Sequence, residues 1–238
     1  MSVIYEPRGK AREYAALAAN LYAGCGHGCL YCYAPCATFK TREFFYGEPH
    51  PRPNVLAQLR KDAEKFSGQG AVLFSFTTDP YQPIDSAHAL TRQGIEILHS
   101  HGLNVEILTK GGSRATRDFD LLTVDDRFAT TLTFIKERDS SQWEPGAASP
   151  QDRIRTIRKA KEKGLTTWAS LEPVIDPAQS LELIRQTAHC VALFKVGKIN
   201  HHPVSKTIDW RKFAHDAVNL LEQKNKAYYI KDDLKKFL

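Results

Sequence analysis

With 238 residues, 42% of them apolar and a quarter charged, the chain has enough material for one sizeable core. No apolar run approaches the roughly 20 residues of a membrane span, and the formal charge of +6 permits an anionic partner such as nucleic acid or a nucleotide without requiring one. The first twenty residues, MSVIYEPRGKAREYAALAAN, carry scattered charges and no apolar segment; this excludes a secretory leader and predicts a cytoplasmic protein whose clustered cysteines serve metal or chemistry rather than disulfides.

Short apolar, β-branched runs alternate with amphipathic stretches along the chain. Strands are predicted over 20–24 (NLYAG), 71–76 (AVLFSF), 104–109 (NVEILT), 128–134 (FATTLTF), 166–171 (TTWASL) and 191–197 (VALFKVG). Helices are predicted over 54–66, 91–101, 118–122, 150–163, 177–188 and 208–224. Asn54 and Ser149 fit as N-caps, Pro150 fits a first helical position, and Gly102 and Gly164 fit as C-terminal stops. The stretch SQWEPGAASP reads as a loop, and 227–230 as a last strand followed by a short helix. One domain is expected over 1–238, with its core at about 18–200 and a C-terminal extension over 201–238.

Strands joined by helix-length crossovers imply right-handed parallel βα units, six of them, in a doubly wound sheet or a partial barrel. Chemistry in either belongs at the C-terminal strand ends. The residues found there are Cys25, Thr77, Thr78, Asp79, Lys110, Lys136, Glu137, Glu172, Lys198 and Asn200, so polar groups gather on one rim.

Four of the five cysteines fall within CGHGCLYCYAPC, spaced Cys25-x3-Cys29-x2-Cys32-x3-Cys36. Zinc modules use two such pairs with a folded stretch between them, and no second pair or His-x3-His follows. Ferredoxin runs supply four thiolates as C-x2-C-x2-C-x3-C-P, and this sequence differs in the first gap. Cys190, just before an apolar strand, reads as a small core residue, and His27 as an exposed loop residue.

Three thiols at x3 and x2 spacing after the first strand of a βα barrel, with an aromatic Tyr31 before the third, resemble the radical S-adenosylmethionine (SAM) superfamily. Within it the chain is similar to the spore photoproduct lyase-like branch, through NLYAGCGHGCLYCYAP, TTDPYQPID, TRQGIEIL, ILTKGGSRATRDFDLL, TTLTF, EPGAASPQDRIRTI and a strand ending in EPVI. The resemblance implies an α/β partial (β/α)6 barrel with outer helices. It implies a [4Fe–4S] cluster on Cys25, Cys29 and Cys32, with the fourth iron open to SAM, and an electron donor such as flavodoxin or ferredoxin. It further implies that Tyr31 and Tyr33 flank SAM, that Thr78 beside Asp79 binds its amino-acid or ribose part, and that Lys110 meets its carboxylate. Thr131 would reach the ribose, and the backbone from Val196 to Lys198 the adenine. Cys36, directed away by Pro35, is expected to stand apart from the cluster.

One position departs from the branch. Spore photoproduct lyases carry a hydrogen-donating cysteine two residues before the match to Thr78, and Phe76 stands there instead. Repair of that lesion is therefore not expected, although a nucleotide or nucleic-acid component still fits. Two other readings stay open: a radical SAM activase modifying a protein, and a non-catalytic zinc or iron–sulfur nucleic-acid module. The segment REFFYGEPHPRP, Trp143 and Trp168 offer aromatic faces that pack or stack bases.

Overall fold

The computed structural model describes residues 2–200 and 202–238. The strands are β1 (Ile4–Tyr5), β2 (Leu17–Ala19), β3 (Tyr22–Ala23), β4 (His50–Pro51), β5 (Ala71–Phe74), β6 (Asn104–Thr109), β7 (Arg127–Thr131), β8 (Thr166–Val174), β9 (Leu193–Lys198) and β10 (Ala227–Ile230). The helices are α1 (Ala34–Ala37), α2 (Arg42–Gly47), α3 (Val55–Lys65), α4 (Asp85–His88), α5 (Leu90–Ser100), α6 (Glu137–Trp143), α7 (Pro150–Glu162), α8 (Pro177–Thr187), α9 (Trp210–Gln223) and α10 (Asp232–Lys235).

One sheet runs in the order β1-β2-β5-β6-β7-β8-β9-β10, parallel throughout except for the antiparallel β1–β2 pair. Period-two alternation sorts its side chains onto two faces. Val72, Phe74, Ile107, Phe128, Leu171, Phe194 and their neighbours join the main core with helical residues such as Leu59, Ile97, Ile157, Leu183 and Phe213. The alternate residues Ala18, Leu73, Ala129 and Trp168 form a separate inner cluster with Tyr14, Phe76 and Leu108 packed on it. Side chains rather than strand pairing link the two ends of the sheet: Lys10 Nζ lies 2.6 Å from Asp233 Oδ2, and Lys231 Nζ donates to Lys10 O at 3.2 Å.

Local signals explain several boundaries. Ser149 Oγ accepts from Asp152 N at 3.2 Å with Pro150 at the first turn of α7, and Asp176 and Asp209 cap α8 and α9 in the same way. The expected last strand over 227–230 is present as β10, Ala227–Ile230, with α10 after it. Four expectations need correction. The first barrel strand is Leu17–Ala19, not 20–24, because Asn20 Oδ1 accepts from both Phe76 N and Thr77 N at 3.0 Å, where the parallel ladder ends. Tyr22–Ala23 then pairs with His50–Pro51 in a two-stranded sheet of its own. Asn54 precedes α3 in a left-handed conformation and makes no side-chain cap. Segment 118–122 gives way to a 3-10 turn over Gly112–Asp118. The supposed loop SQWEPGAASP carries the end of α6. At the other strand and helix ends the shifts are small; β9, for example, starts at Leu193 because Cys190 N and Val191 N still donate to Thr187 O at the end of α8.

Asp62 on α3 holds the edge strand. Its Oδ2 accepts from Val3 N at 2.5 Å, Ser2 Oγ at 2.8 Å and Ile4 N at 3.1 Å, and Oδ1 accepts from Gln58 Nε2 at 2.8 Å. Burial works to raise its pKa, but these bonds outweigh it and hold the carboxyl below the usual aspartate range. A depressed folded-state pKa means that this stabilisation is present above the unfolded value near 3.8 and is lost as pH falls through the lower folded value. Asp62→Ala is expected to cost about 3 kcal/mol at pH 7, since charged hydrogen bonds contribute about 1.5–3 kcal/mol each and do not add fully. The deficit should shrink as pH falls below about 3.8, as read by urea unfolding at several pH values.

Candidate active site

The cysteine segment leaves β3 as a loop that runs into α1, and its backbone is fixed from three sides. Gly24 sits at φ +78°, and a Cβ there would lie 2.6 Å from Phe45 O, so the loop approaches α2 at a distance only glycine permits. From the β5 end, Thr78 Oγ1 donates to Gly24 O at 2.7 Å, and Gly26 N donates to Gln82 Oε1 at 2.7 Å. From α2, the Arg42 guanidinium donates to Cys29 O at 2.8 Å, Leu30 O at 2.9 Å and Cys32 O at 3.2 Å. Beyond α6, a Cβ on Gly146 would meet Gly26 O at 2.2 Å, and Gly146 N donates to His27 O at 2.9 Å.

This framework puts Cys25, Cys29 and Cys32 on the wall of a cavity of about 440 Å³ at the C-terminal ends of the parallel strands. Cys25 and Cys29 are 9% and 7% exposed and Cys32 is half-buried, whereas Cys36 is exposed on α1 and Cys190 is buried elsewhere. Burial pushes the Cys29 thiol up to about 12, against the pull of Lys110, and burial together with Asp79 raises Cys25 as well. Ala34 N donates to Cys32 Sγ at 3.4 Å. Among the described residues no group of three or more His, Cys, Asp or Glu side chains is arranged to hold a single metal ion. Three thiols spread along one wall suit a multi-iron cluster, in which each sulfur takes a different iron, better than a tetrahedral zinc.

The other rim residues expected from sequence divide into two groups. Tyr31, Tyr33, Thr78, Asp79, Lys110, Thr131 and Lys198 all line the same cavity. Val196 does not; its side chain is fully buried in the helix-facing core. Thr78 and Asp79 do structural work there. Thr78 Oγ1, besides its bond to Gly24, accepts from Gln82 Nε2 at 2.8 Å. Asp79 accepts from Tyr81 N at 2.8 Å, Thr109 Oγ1 at 2.6 Å and Lys110 N at 2.7 Å, which fixes the turn that presents Lys110.

Lys110 has no hydrogen-bond or ion-pair partner for its ammonium among the described residues, and its Nζ sits 5.6 Å from the centroid of the Tyr31 ring. Burial works to lower its pKa, but Cys29 and Glu144 outweigh that and hold it above the usual lysine range. It is a desolvated cation aimed into the cavity beside the thiols, free to take a carboxylate.

Glu144, in the segment expected to be a loop, proves central. Its Oε2 takes Arg153 Nη2 at 2.6 Å, with the two side chains 0% and 1% exposed, and its Oε1 accepts from the Tyr31 hydroxyl. Arg153 also donates to Ala148 O at 2.7 Å and Thr131 O at 3.1 Å, so the guanidinium is satisfied and ties α7, β7 and the 144–148 turn together. His27 contradicts its expected exposure. It is 2% exposed, with Nδ1 3.5 Å from Asp79 Oδ2 and Nε2 3.0 Å from Arg114 Nη2. Burial, with Arg114 and Lys110 adding to it and Asp79 opposing, lowers its pKa to about 4, so the ring is neutral near pH 7 and accepts from Arg114.

The same cavity is also lined by a polar group in which the rim residue Glu172 is joined by Tyr14, Ser170 and Lys231, which sequence reading did not single out. The Tyr14 hydroxyl donates to Glu172 Oε2 and lies 2.8 Å from Ser170 Oγ; Lys231 Nζ donates to Glu172 Oε2 at 2.9 Å and sits 4.1 Å from the Tyr14 ring centroid. Tyr14 packs edge-on against Phe76, with centroids 5.9 Å apart. Trp168, one of the candidate stacking residues, is buried in the inner core beneath Tyr14, 5.8 Å from its ring. Trp143 packs between Phe134 and His202.

Comparison with known proteins agrees with this geometry. The family model described as the radical SAM superfamily matches residues 19–191. The chain is 27% identical over 167 residues to an uncharacterized protein of Methanocaldococcus jannaschii, covering 69% of this chain and 62% of that one. It is 28% identical over 197 residues to a radical SAM Nalpha-GlyT isomerase of Pseudomonas phage M6, covering 82% of this chain and 40% of that one. It thus spans less than two thirds of either relative's length. Its fold is similar to that of a spore photoproduct lyase mutant with bound AdoMet and dinucleoside spore photoproduct, at a TM-score of 0.71 and 16% identity over 91% of this chain and 76% of that one. No described helix is long and apolar enough to cross a membrane. A family match over most of the parallel sheet, three thiols on one cavity wall and a desolvated lysine beside them lead to one conclusion: the chain belongs to the radical SAM superfamily.

Proposed function

We propose that the chain is a radical SAM enzyme acting on a nucleotide or nucleic-acid component. Cys25, Cys29 and Cys32 would hold a [4Fe–4S] cluster, which when bound would supply the electron for reductive cleavage of SAM at its C5′–S bond and so the radical for hydrogen abstraction from substrate. Lys110 binds the SAM carboxylate, Tyr31 and Tyr33 border the cofactor, and Thr131 and Lys198 complete its side of the cavity. Thr78 and Asp79 are positioning residues for the loop and for Lys110. Leu108, Phe76 and Trp168 exclude water from the inner end, as radical chemistry requires. Tyr14, Ser170 and Glu172 face the substrate in the same cavity.

The observation that carries this reading is that the three thiols and the Lys110 ammonium share one cavity with the polar side chains of Tyr14, Ser170 and Glu172. The lyase with bound dinucleoside supports a nucleotide substrate, and the positive charge is consistent with it. Phe76 in place of the donor cysteine speaks against spore-lesion repair. Anaerobic reconstitution with iron and sulfide, then dithionite and SAM, should yield 5′-deoxyadenosine; its absence from a protein with a full cluster would reject the reading. Lys110→Met should weaken SAM binding roughly 30-fold, a loss of about 2 kcal/mol for one charge-assisted contact, while the cluster's absorbance is retained. This is measured by SAM titration of the reconstituted protein.

A further inference from the structure

A second cavity of about 440 Å³ lies on the other side of the cysteine loop, and it shares Thr77 with the first. It is built by the β3–β4 ladder and α2, whose side chains on this wall take no part in the cofactor assignments above. Its wall carries three basic side chains, Lys40, His50 and Arg52, against one acid, Glu48. Among the described residues none of these four has an ion-pair partner; Arg52 spends only Nη1, on Asn20 O at 3.1 Å. Phe44 on the same wall is 44% exposed, and Lys40 Nζ stands 5.0 Å from its ring centroid. Phe39, just before Lys40 in the chain, is 96% exposed.

Unpaired cations beside a solvent-facing aromatic ring are the two elements with which proteins hold single-stranded nucleic acid: charges for the phosphate and a flat face for a base. Packing alone does not account for two cations, Lys40 and Arg52, without ion-pair partners around the exposed Phe44 ring on one cavity wall. Building on the nucleotide reading above, we infer that this second cavity binds the nucleotide next to the reacting one in a single-stranded polynucleotide. The linking phosphodiester crosses at Thr77 and the neighbouring phosphate lies among Lys40, His50 and Arg52. The neighbouring base rests on Phe44. The substrate class is thereby a strand rather than a free nucleotide.

Fluorescein-labelled single-stranded 12-mers, one of DNA and one of RNA with the same sequence, test this by anisotropy on the reconstituted protein with SAM, alongside unlabelled thymidine 5′-monophosphate as competitor. The variants are Lys40→Glu and Phe44→Ala, with Lys161→Glu on the outer face of α7 as charge control; the first two alter exposed side chains. The inference expects at least fivefold weaker 12-mer binding in both, with a log–log salt slope lower by about one for Lys40→Glu only. Mononucleotide competition should be unchanged, and the preferred 12-mer identifies the sugar. Equal effects from Lys161→Glu, or a wild-type protein that binds the 12-mers no more tightly than the mononucleotide, would overturn the strand inference and leave the nucleotide reading intact. Binding of neither would overturn both, and 5′-deoxyadenosine formation would still report on the radical chemistry.

Discussion

Alanine at Cys25, Cys29 or Cys32 is expected to abolish iron retention and to reduce 5′-deoxyadenosine formation to less than about one per cent of wild type, because the loss of one ligand removes the group on which the chemistry depends. Cys36→Ala and Cys190→Ala should keep both. The contrast follows from placement. The first three thiols border the cavity, Cys36 is exposed on α1, and Cys190 is buried away from it. Cys29, whose thiol burial raises to about 12, ionises only when a metal replaces the proton, so iron uptake should release protons. Iron and acid-labile sulfide analysis of the four loop variants, with product quantified after reduction, decides this.

The second large effect is expected at the Arg153–Glu144 pair. Both side chains are almost wholly out of solvent. Glu144→Gln leaves the guanidinium buried without its counter-charge, a change that typically costs about 3–5 kcal/mol. In a chain of this length, that corresponds to a fall in melting temperature on the order of 10 °C. Function should fall with it, since the same carboxylate holds the Tyr31 hydroxyl and helps keep Lys110 charged. Arg153→Met alone should be comparably costly. The double variant Glu144→Gln/Arg153→Met should lose less than the sum of the two, because each single change pays for the partner it strands. Thermal unfolding by circular dichroism, before and after reconstitution, reads the coupling.

The sequence carried the parallel sheet, and the three cysteines and the lysine that line one cavity, in its most local signals. Six apolar runs at helix-length spacing could pair only in parallel, and the x3, x2 cysteine spacing with Tyr31 carried the resemblance to the superfamily that the family match over residues 19–191 shows. Capping chemistry placed the start of α7 to the residue, because Ser149-Pro150 acts within a single turn. What escaped was set by contacts distant in sequence. Asn20 ends its strand by binding residues 56 and 57 positions later. His27 is buried by Asp79 and Arg114, which no local pattern announces. Glu144 lies in a Pro- and Gly-bearing stretch with every mark of a loop, yet it meets Arg153 and Tyr31 from two other elements. The one available signal was the oddity of an Arg at a buried position on the apolar face of α7, beside Ile154 and Ile157, which required a buried acid somewhere. Arg42, which grips three carbonyls of the cysteine loop, gave no such sign.

The central claim is that three protein thiolates hold the cluster and one iron is left for SAM. Mössbauer spectra of the protein reconstituted with ⁵⁷Fe, recorded with and without SAM, test it directly. About a quarter of the iron absorption should shift on adding SAM while the rest stays unchanged, in wild type and in Cys36→Ala alike. Spectra in which all the iron is thiolate-bound and insensitive to SAM, together with loss of the cluster in Cys36→Ala, would contradict the account.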